Sequence, residues 1–289
     1  MPQLAVRPTP KQLYEAYNEG MEGWIFDKGA REDWELFMEE QGDPDDLLAS
    51  IKDTHKNVKR ALLYRSREKY DFGAQREAKQ AGPDCTSHGD RYAYDVTRSV
   101  EIDIKKEPEE YKLRSCTEFG YGMRGSRGGG SSPAVLARAK RDYGTLFRQK
   151  YPELGLDLSR YTYSIGANWG GRGVPESVKQ EAKKHPIGQL IVPKTIEQCL
   201  DLFANGYACH SGQQWACSSS QPEDGINRKR GTWNHDMGSG GYDRSEELWR
   251  EQVVFVAQSW GEWCPPNKVW LKHTDILGPY PTGMIVCPL

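Results

Sequence analysis

Three side chains suited to nucleophilic acyl chemistry stand far apart in this chain: a thiol at Cys85, an imidazole at His235 and a carboxamide at Gln258. Cys85 follows the turn Gly82-Pro83-Asp84 and precedes TSHGDRYAYDVTRSV, which reads as a helix. A thiol on the first residue of a helix feels the positive end of the peptide dipoles, which favours thiolate. The first-turn amides can also receive an oxyanion. The bland alternative is a buried structural cysteine, the commoner fate of a single Cys. His235 lies in GTWNHDMGSGGYD, a short apolar run among small residues that reads as a strand. An imidazole there can take a thiol proton and later protonate a leaving amine. Gln258, in VVFVAQSWGEW, can accept from the imidazole and fix its tautomer, and the neighbouring Trp260 can shield that bond from water. His88 is the nearest rival imidazole, but three residues into the helix it is expected to pack rather than pair.

These groups need elements that bring them together. The helix from Cys85 is followed by a glycine-rich stretch, GYGMRGSRGGGSS, and a second helix from Pro133 through AVLARAKRDYG. One further helix is expected near Pro175–Lys184. From about residue 200 short apolar runs (ANGYACHS, GTWNHDM, EQVVFVAQSW, PTGMIVCPL) alternate with Gly, Pro and Asn turns, the pattern of antiparallel strands. Helices first and strands second predict an α+β fold of two lobes. Residues 1–75 read as a charged helical extension. Thr9-Pro10 starts one helix, and Asp43-Pro44 starts another that puts Leu47, Leu48, Ile51, His55, Val58 and Leu62 on one face. That extension can pack on the main domain, inhibit it as a pro-segment, or dock the chain elsewhere.

Composition removes several classes. Charged residues make up 28% and hydrophobic ones 37%, as in a folded globular protein. A net charge of −2 gives no bulk drive toward nucleic acid or an anionic membrane. No apolar run is long enough to span a bilayer, and MPQLAVRPTPKQLYEAYNEG lacks the basic start and apolar core of a secretory signal. Seven cysteines at irregular spacing include no Cys-x-x-Cys pair, which speaks against structural zinc and a disulfide framework. Cys209-His210 with Cys217 lacks an identifiable fourth metal ligand. Gly120-Tyr121-Gly122-Met123-Arg124-Gly125 spells a dinucleotide pattern without its βαβ setting. No cofactor or metal is expected.

The order Cys85, then His235 150 residues on, then Gln258-Ser259-Trp260-Gly261 resembles the papain-like cysteine peptidases. Asn234-His235 followed by Gly241-Tyr242, and the Asn205-Gly206-Tyr207 turn upstream, fit the same pattern. The pieces around Cys85, Trp233-Asn234-His235 and Gln258 look closest to a divergent phage and environmental-bacterial branch. The resemblance implies a papain-like α+β fold over 76–289, with a left lobe over about 76–190 and a right lobe over about 191–289. It implies a Cys85–His235–Gln258 triad and an oxyanion site made by the Cys85 amide and Gln80. It gives substrate-backbone binding to Gly129 and Gly130, and places Trp260 at the site. A peptide or protein substrate follows, with no nucleic acid or membrane partner. Pro83-Asp84-Cys85-Thr86 stands where the family has Cys-Gly-Ser-Cys-Trp, Gln80 is one residue closer to the cysteine, and Gln258 replaces Asn. Those departures keep a second expectation open: a non-catalytic papain-fold protein, such as a virion component, assembling through residues 1–75. Either reading puts the chain in the cytoplasm or on a virion.

Overall fold

The computed structural model describes residues 45–70, 79–106, 114–217, 226–245, 252–259, 269–272 and 280–285. The expected Thr9-Pro10 helix and Trp260 lie outside them.

The organising element is the helix that starts at the thiol, α3 (Cys85–Val100); before it come α1 (Asp45–Ser50), the short strand β1 (Arg60–Ala61) and α2 (Tyr64–Tyr70). All sixteen residues of α3 are buried. A helix covered on every side must meet neighbours all round, and α3 does. On one side stand α4 (Glu118–Gly122) and α5 (Pro133–Tyr143); on the other stands an eight-stranded sheet. Ser132 caps α5, accepting from the Val135 amide, with Pro133 in the first turn. The helical side continues through the hairpin β2 (Lys150–Tyr151) and β3 (Leu156–Asp157), then α6 (Tyr163–Arg172) and α7 (Glu176–Ala182).

The large sheet comprises β1, β4 (Gln189–Ile191), β5 (Cys209–Cys217), β6 (Ile226–Asn227), β7 (Lys229–Asp243), β8 (Val253–Ala257), β9 (Val269–Lys272) and β10 (Tyr280–Ile285). Its order is β4-β10-β5-β7-β8-β9-β6, with β1 on the end of β7. Every pair is antiparallel except β6 with β9. Helix α8 (Ile196–Ala204) lies against it, capped by Thr195, which accepts from the Gln198 amide. Two apolar cores result. One joins α3, α8 and the sheet; the other gathers Phe119, Leu146, Tyr151, Leu158, Val174 and Val178 on the helical side. The fold is α+β, as the sequence pattern predicts. Among the described residues no helix is long and apolar enough to cross a membrane.

The structure alters two local expectations. The helix from Asp43-Pro44 does not run to Leu62: α1 ends at Ser50, Asp53 turns left-handed at φ 65°, and Val58 is extended. The buried Asp201 carboxylate stops it by accepting from the backbone amides of Asp53 and His55 and pairing with His55 Nδ1 at 2.6 Å. Residues 60–61 then enter the sheet, Arg60 opposite Asp243 and Ala61 opposite Tyr242. Helix α6 was also unexpected, because its sequence, YSIGANWGGR, is poor in helix formers. Its glycines are there for contact: a Cβ on Gly166 would lie 3.0 Å from the Glu118 carbonyl, and one on Gly170 would strike the Arg124 guanidinium at 2.1 Å.

Candidate active site

Cys85 is the first residue of α3, fully buried and unoxidised. The turn before it is closed by the Asp84 amide donating to the Gly82 carbonyl at 2.9 Å. Asp84 sits at the cap position, yet its carboxylate caps no amide. It accepts instead from the Tyr161 hydroxyl at 2.7 Å, and His88 Nε2 lies 3.6 Å from the same oxygen. The His88 ring meets Tyr161 edge-on, centroids 5.0 Å apart. His88 thus packs, as expected, but it also faces a carboxylate.

His235 lies on β7, opposite Gln213 on β5, and is fully buried. Its Nε2 and Gln258 Oε1 are 2.7 Å apart. The Gln258 amide nitrogen donates to Met237 Sδ, which orients the carboxamide with its oxygen toward the ring. Nε2 is then the protonated nitrogen, and Nδ1 is the one that can act as a base. Burial pushes the imidazole down to about 4, with the Gln258 hydrogen bond opposing and the His88 charge adding to the shift. The ring is therefore neutral near neutral pH.

Two glycines set how α3 meets β7. A Cβ on Gly89 would fall 2.1 Å from Asp236 Oδ1, and one on Gly238 would fall 2.5 Å from the Tyr92 ring. Along the contact Gly89 faces Asp236 and Tyr92 faces Gly238, so helix and strand advance in the same direction. One turn back from Gly89 is Cys85; one residue back from Asp236 is His235. Cys85 thus lies one turn from the helix position that meets β7 at Asp236, and His235 is the strand neighbour of that contact.

Gln80, Gly129 and Gly130 meet the turn before Cys85. The Gln80 amide donates to the Ser259 carbonyl at 2.8 Å, and its side-chain nitrogen donates to the Gly82 carbonyl at 2.8 Å. The Ser259 hydroxyl donates back to Gln80 Oε1. Two hydrogen-bonded pairs, His235–Gln258 and Ser259–Gln80, are joined by the Gln258–Ser259 peptide bond and reach the turn before Cys85 through Gly82. On the other flank the Gly130 amide donates to the Pro83 carbonyl at 3.1 Å, with Gly130 at φ 83°, and a Cβ on Gly129 would meet Pro83 Cγ at 2.5 Å. Sequence reasoning missed Asp84, Ser259 and Tyr161. Asp84 and Ser259 were readable as neighbours of Cys85 and Gln258; Tyr161 arrives from a loop with no local signal. Among the described residues no group of three or more His, Cys, Asp or Glu is set to hold a metal.

No protein-family model and no curated protein sequence matches the chain. Solved structures do. The proform of Amb a 11, a cysteine protease and major ragweed pollen allergen, aligns over 93% of this chain and 78% of its own, with a TM-score of 0.53 at 11% identity. Xylellain, a cysteine protease from Xylella fastidiosa, aligns over 73% of this chain and 83% of its own, with a TM-score of 0.48 at 13% identity. At 11% identity the likeness to the Amb a 11 proform speaks for architecture. The helix opening at Cys85, packed on a mostly antiparallel sheet that carries His235 and leads into Gln258, is the papain-like cysteine protease fold.

Proposed function

We propose that this chain is a papain-like thiol hydrolase, a cysteine peptidase working through an acyl-enzyme. The observation that carries the reading is the His235 Nε2–Gln258 Oε1 hydrogen bond of 2.7 Å, which leaves Nδ1 as the basic nitrogen. His235 Nδ1 takes the Cys85 proton as the sulfur attacks the scissile carbonyl carbon. The oxyanion is received by the Cys85 amide and by the Gln80 side-chain amide, which also donates to Gly82. The imidazolium then protonates the leaving amine, and His235 activates the water that hydrolyses the thioester. Burial favours the neutral imidazole, so His235 rests in the form that can accept a proton. Gly129 and Gly130 offer backbone to an extended peptide.

A second reading is supported by one observation: Cys85 and His235 are both 0% exposed. A sealed dyad suits a non-catalytic papain-fold protein, such as a virion component docking through residues 1–75. Labelling with a thiol-directed peptidyl electrophile between about pH 5 and 8 separates the two. The peptidase reading expects covalent modification that Cys85→Ala abolishes and Cys217→Ala retains. No modification of the wild type across that range would leave the second reading standing.

A further inference from the structure

Between α3, α5 and the sheet lies a second buried charge cluster that the mechanism does not use. His210 on β5 stands opposite Gly238, and therefore diagonal to Asp236 on β7, on the sheet face that meets α3. Its Nδ1 is 3.1 Å from Asp236 Oδ1, and its Nε2 is 4.0 Å from Asp90 Oδ1 on α3. The other Asp90 oxygen pairs with Lys140 Nζ of α5 at 2.8 Å, and Lys140 also lies over the Tyr94 ring of α3, 4.6 Å from its centroid. His210, Asp236, Asp90 and Lys140 are 1%, 1%, 3% and 5% exposed.

Burying charge without balance is costly. Two carboxylates and one ammonium leave a net charge of −1; a protonated His210 brings the four to zero. We propose that His210, Asp236, Asp90 and Lys140 form a charge-balanced clamp between the helical side and the sheet, and that His210 and Asp236 are positioning residues for Cys85 and His235. The positioning role rests on the peptidase reading; the clamp itself does not. Its location supports the role, because Asp236 follows His235 directly and touches α3 at Gly89, one turn from Cys85. Lys140 and Asp90 tie α5 to α3, and His210 ties both to the strands.

The His210 titration agrees in direction, while burial works against the ionised Asp236 carboxylate. Burial lowers His210, but the Asp236 and Asp90 charges outweigh it and raise the imidazole above its ordinary value, against a smaller opposing effect of Lys140. Burial raises Asp236 to about 6; His210 opposes that shift and Asp90 adds to it. The folded cluster therefore holds protons that the unfolded chain releases. Its contribution to stability is present on the acid side and is lost as pH rises, first through about 6 for Asp236 and then through the raised value of His210.

The decisive measurement is heteronuclear NMR of the His210 imidazole in the intact protein, assigned by comparison with His210→Gln. A protonated ring at neutral pH is expected; a neutral ring there overturns the clamp. Positioning is tested by the rate of Cys85 labelling per folded molecule in His210→Gln and Asp236→Asn. A fall of about tenfold or more, with an altered pH profile, is expected. Variants that melt earlier but label at the wild-type rate with the wild-type profile would reduce the cluster to a structural role. A wild type that takes no label would sink the peptidase reading, while the His210 protonation would still decide the clamp.

Discussion

Ser259 and Gln80 hold each other from opposite ends of the fold: the serine hydroxyl donates to the glutamine carbonyl at 2.5 Å, and the glutamine backbone amide donates to the serine carbonyl at 2.8 Å. The pair keeps the Gln80 amide nitrogen turned toward Gly82 and the start of α3. Ser259→Ala should cost about 1–2 kcal/mol, since it leaves a buried acceptor unmet. If Gln80 serves the oxyanion, acylation should also slow with little change in KM. A peptide-ester assay reporting kcat and KM separately, beside a denaturant melt, checks both.

The buried imidazole makes its own pH signature. His235 has a folded value of about 4 against an ordinary 6.5, so between those values the unfolded chain binds more protons. The stability this group contributes is full above about 6.5 and falls as pH drops toward 4. Thermal melts of the wild type and His235→Gln should diverge in that window, the wild type losing ground toward acid. The direction is opposite to that of the His210 cluster. A constant difference between the two proteins from pH 4 to 6.5 would contradict the burial argument.

Gly89 and Gly238 set the helix–strand spacing, and a methyl group at either has nowhere to go. Gly89→Ala puts carbon 2.1 Å from Asp236 Oδ1. Overpacking of this kind costs about 1–3 kcal/mol. It should also push Cys85 away from His235 and reduce labelling by about tenfold or more. By contrast, Gly128→Ala, whose nearest neighbour would be the Ser126 hydroxyl at 3.9 Å, should leave both stability and labelling unchanged.

Asp201 anchors the segment before the nucleophile helix. Its carboxylate receives two backbone amides and His55 Nδ1. Asp201→Ala should destabilise by about 3 kcal/mol, the usual result of stranding several buried donors. Hydrogen exchange should rise first over residues 51–58. Uniform exchange across the molecule would show instead that the segment has no local stability of its own.

Much of this was legible before the fold was known. Cys85 after the Gly82-Pro83-Asp84 turn, Pro133 opening α5 and the continuous apolar run VVFVA of β8 follow from turn residues, first-turn proline and short apolar runs bounded by polar residues. Helix α8 was missed although Thr195 and Gln198 announced its cap. Helix α6 was hidden for a physical reason: its glycines exist for close approach to Glu118 and Arg124, a requirement set by residues more than 40 positions away. The helix expected through Leu62 failed likewise, because Asp201 competes for its amides across nearly 150 residues. The His210–Asp236 pair has no local signature, since neither residue predicts a partner across the sheet.

The pairing of Arg60 and Ala61 with the far end of β7, reinforced by the Tyr242 hydroxyl donating to the Val58 carbonyl at 2.7 Å, carries a mechanical consequence. The leading part of the polypeptide is stitched into the same ribbon that bears the imidazole. A single nick between residues 70 and 79 would therefore yield two fragments on a denaturing gel but one particle on a sizing column.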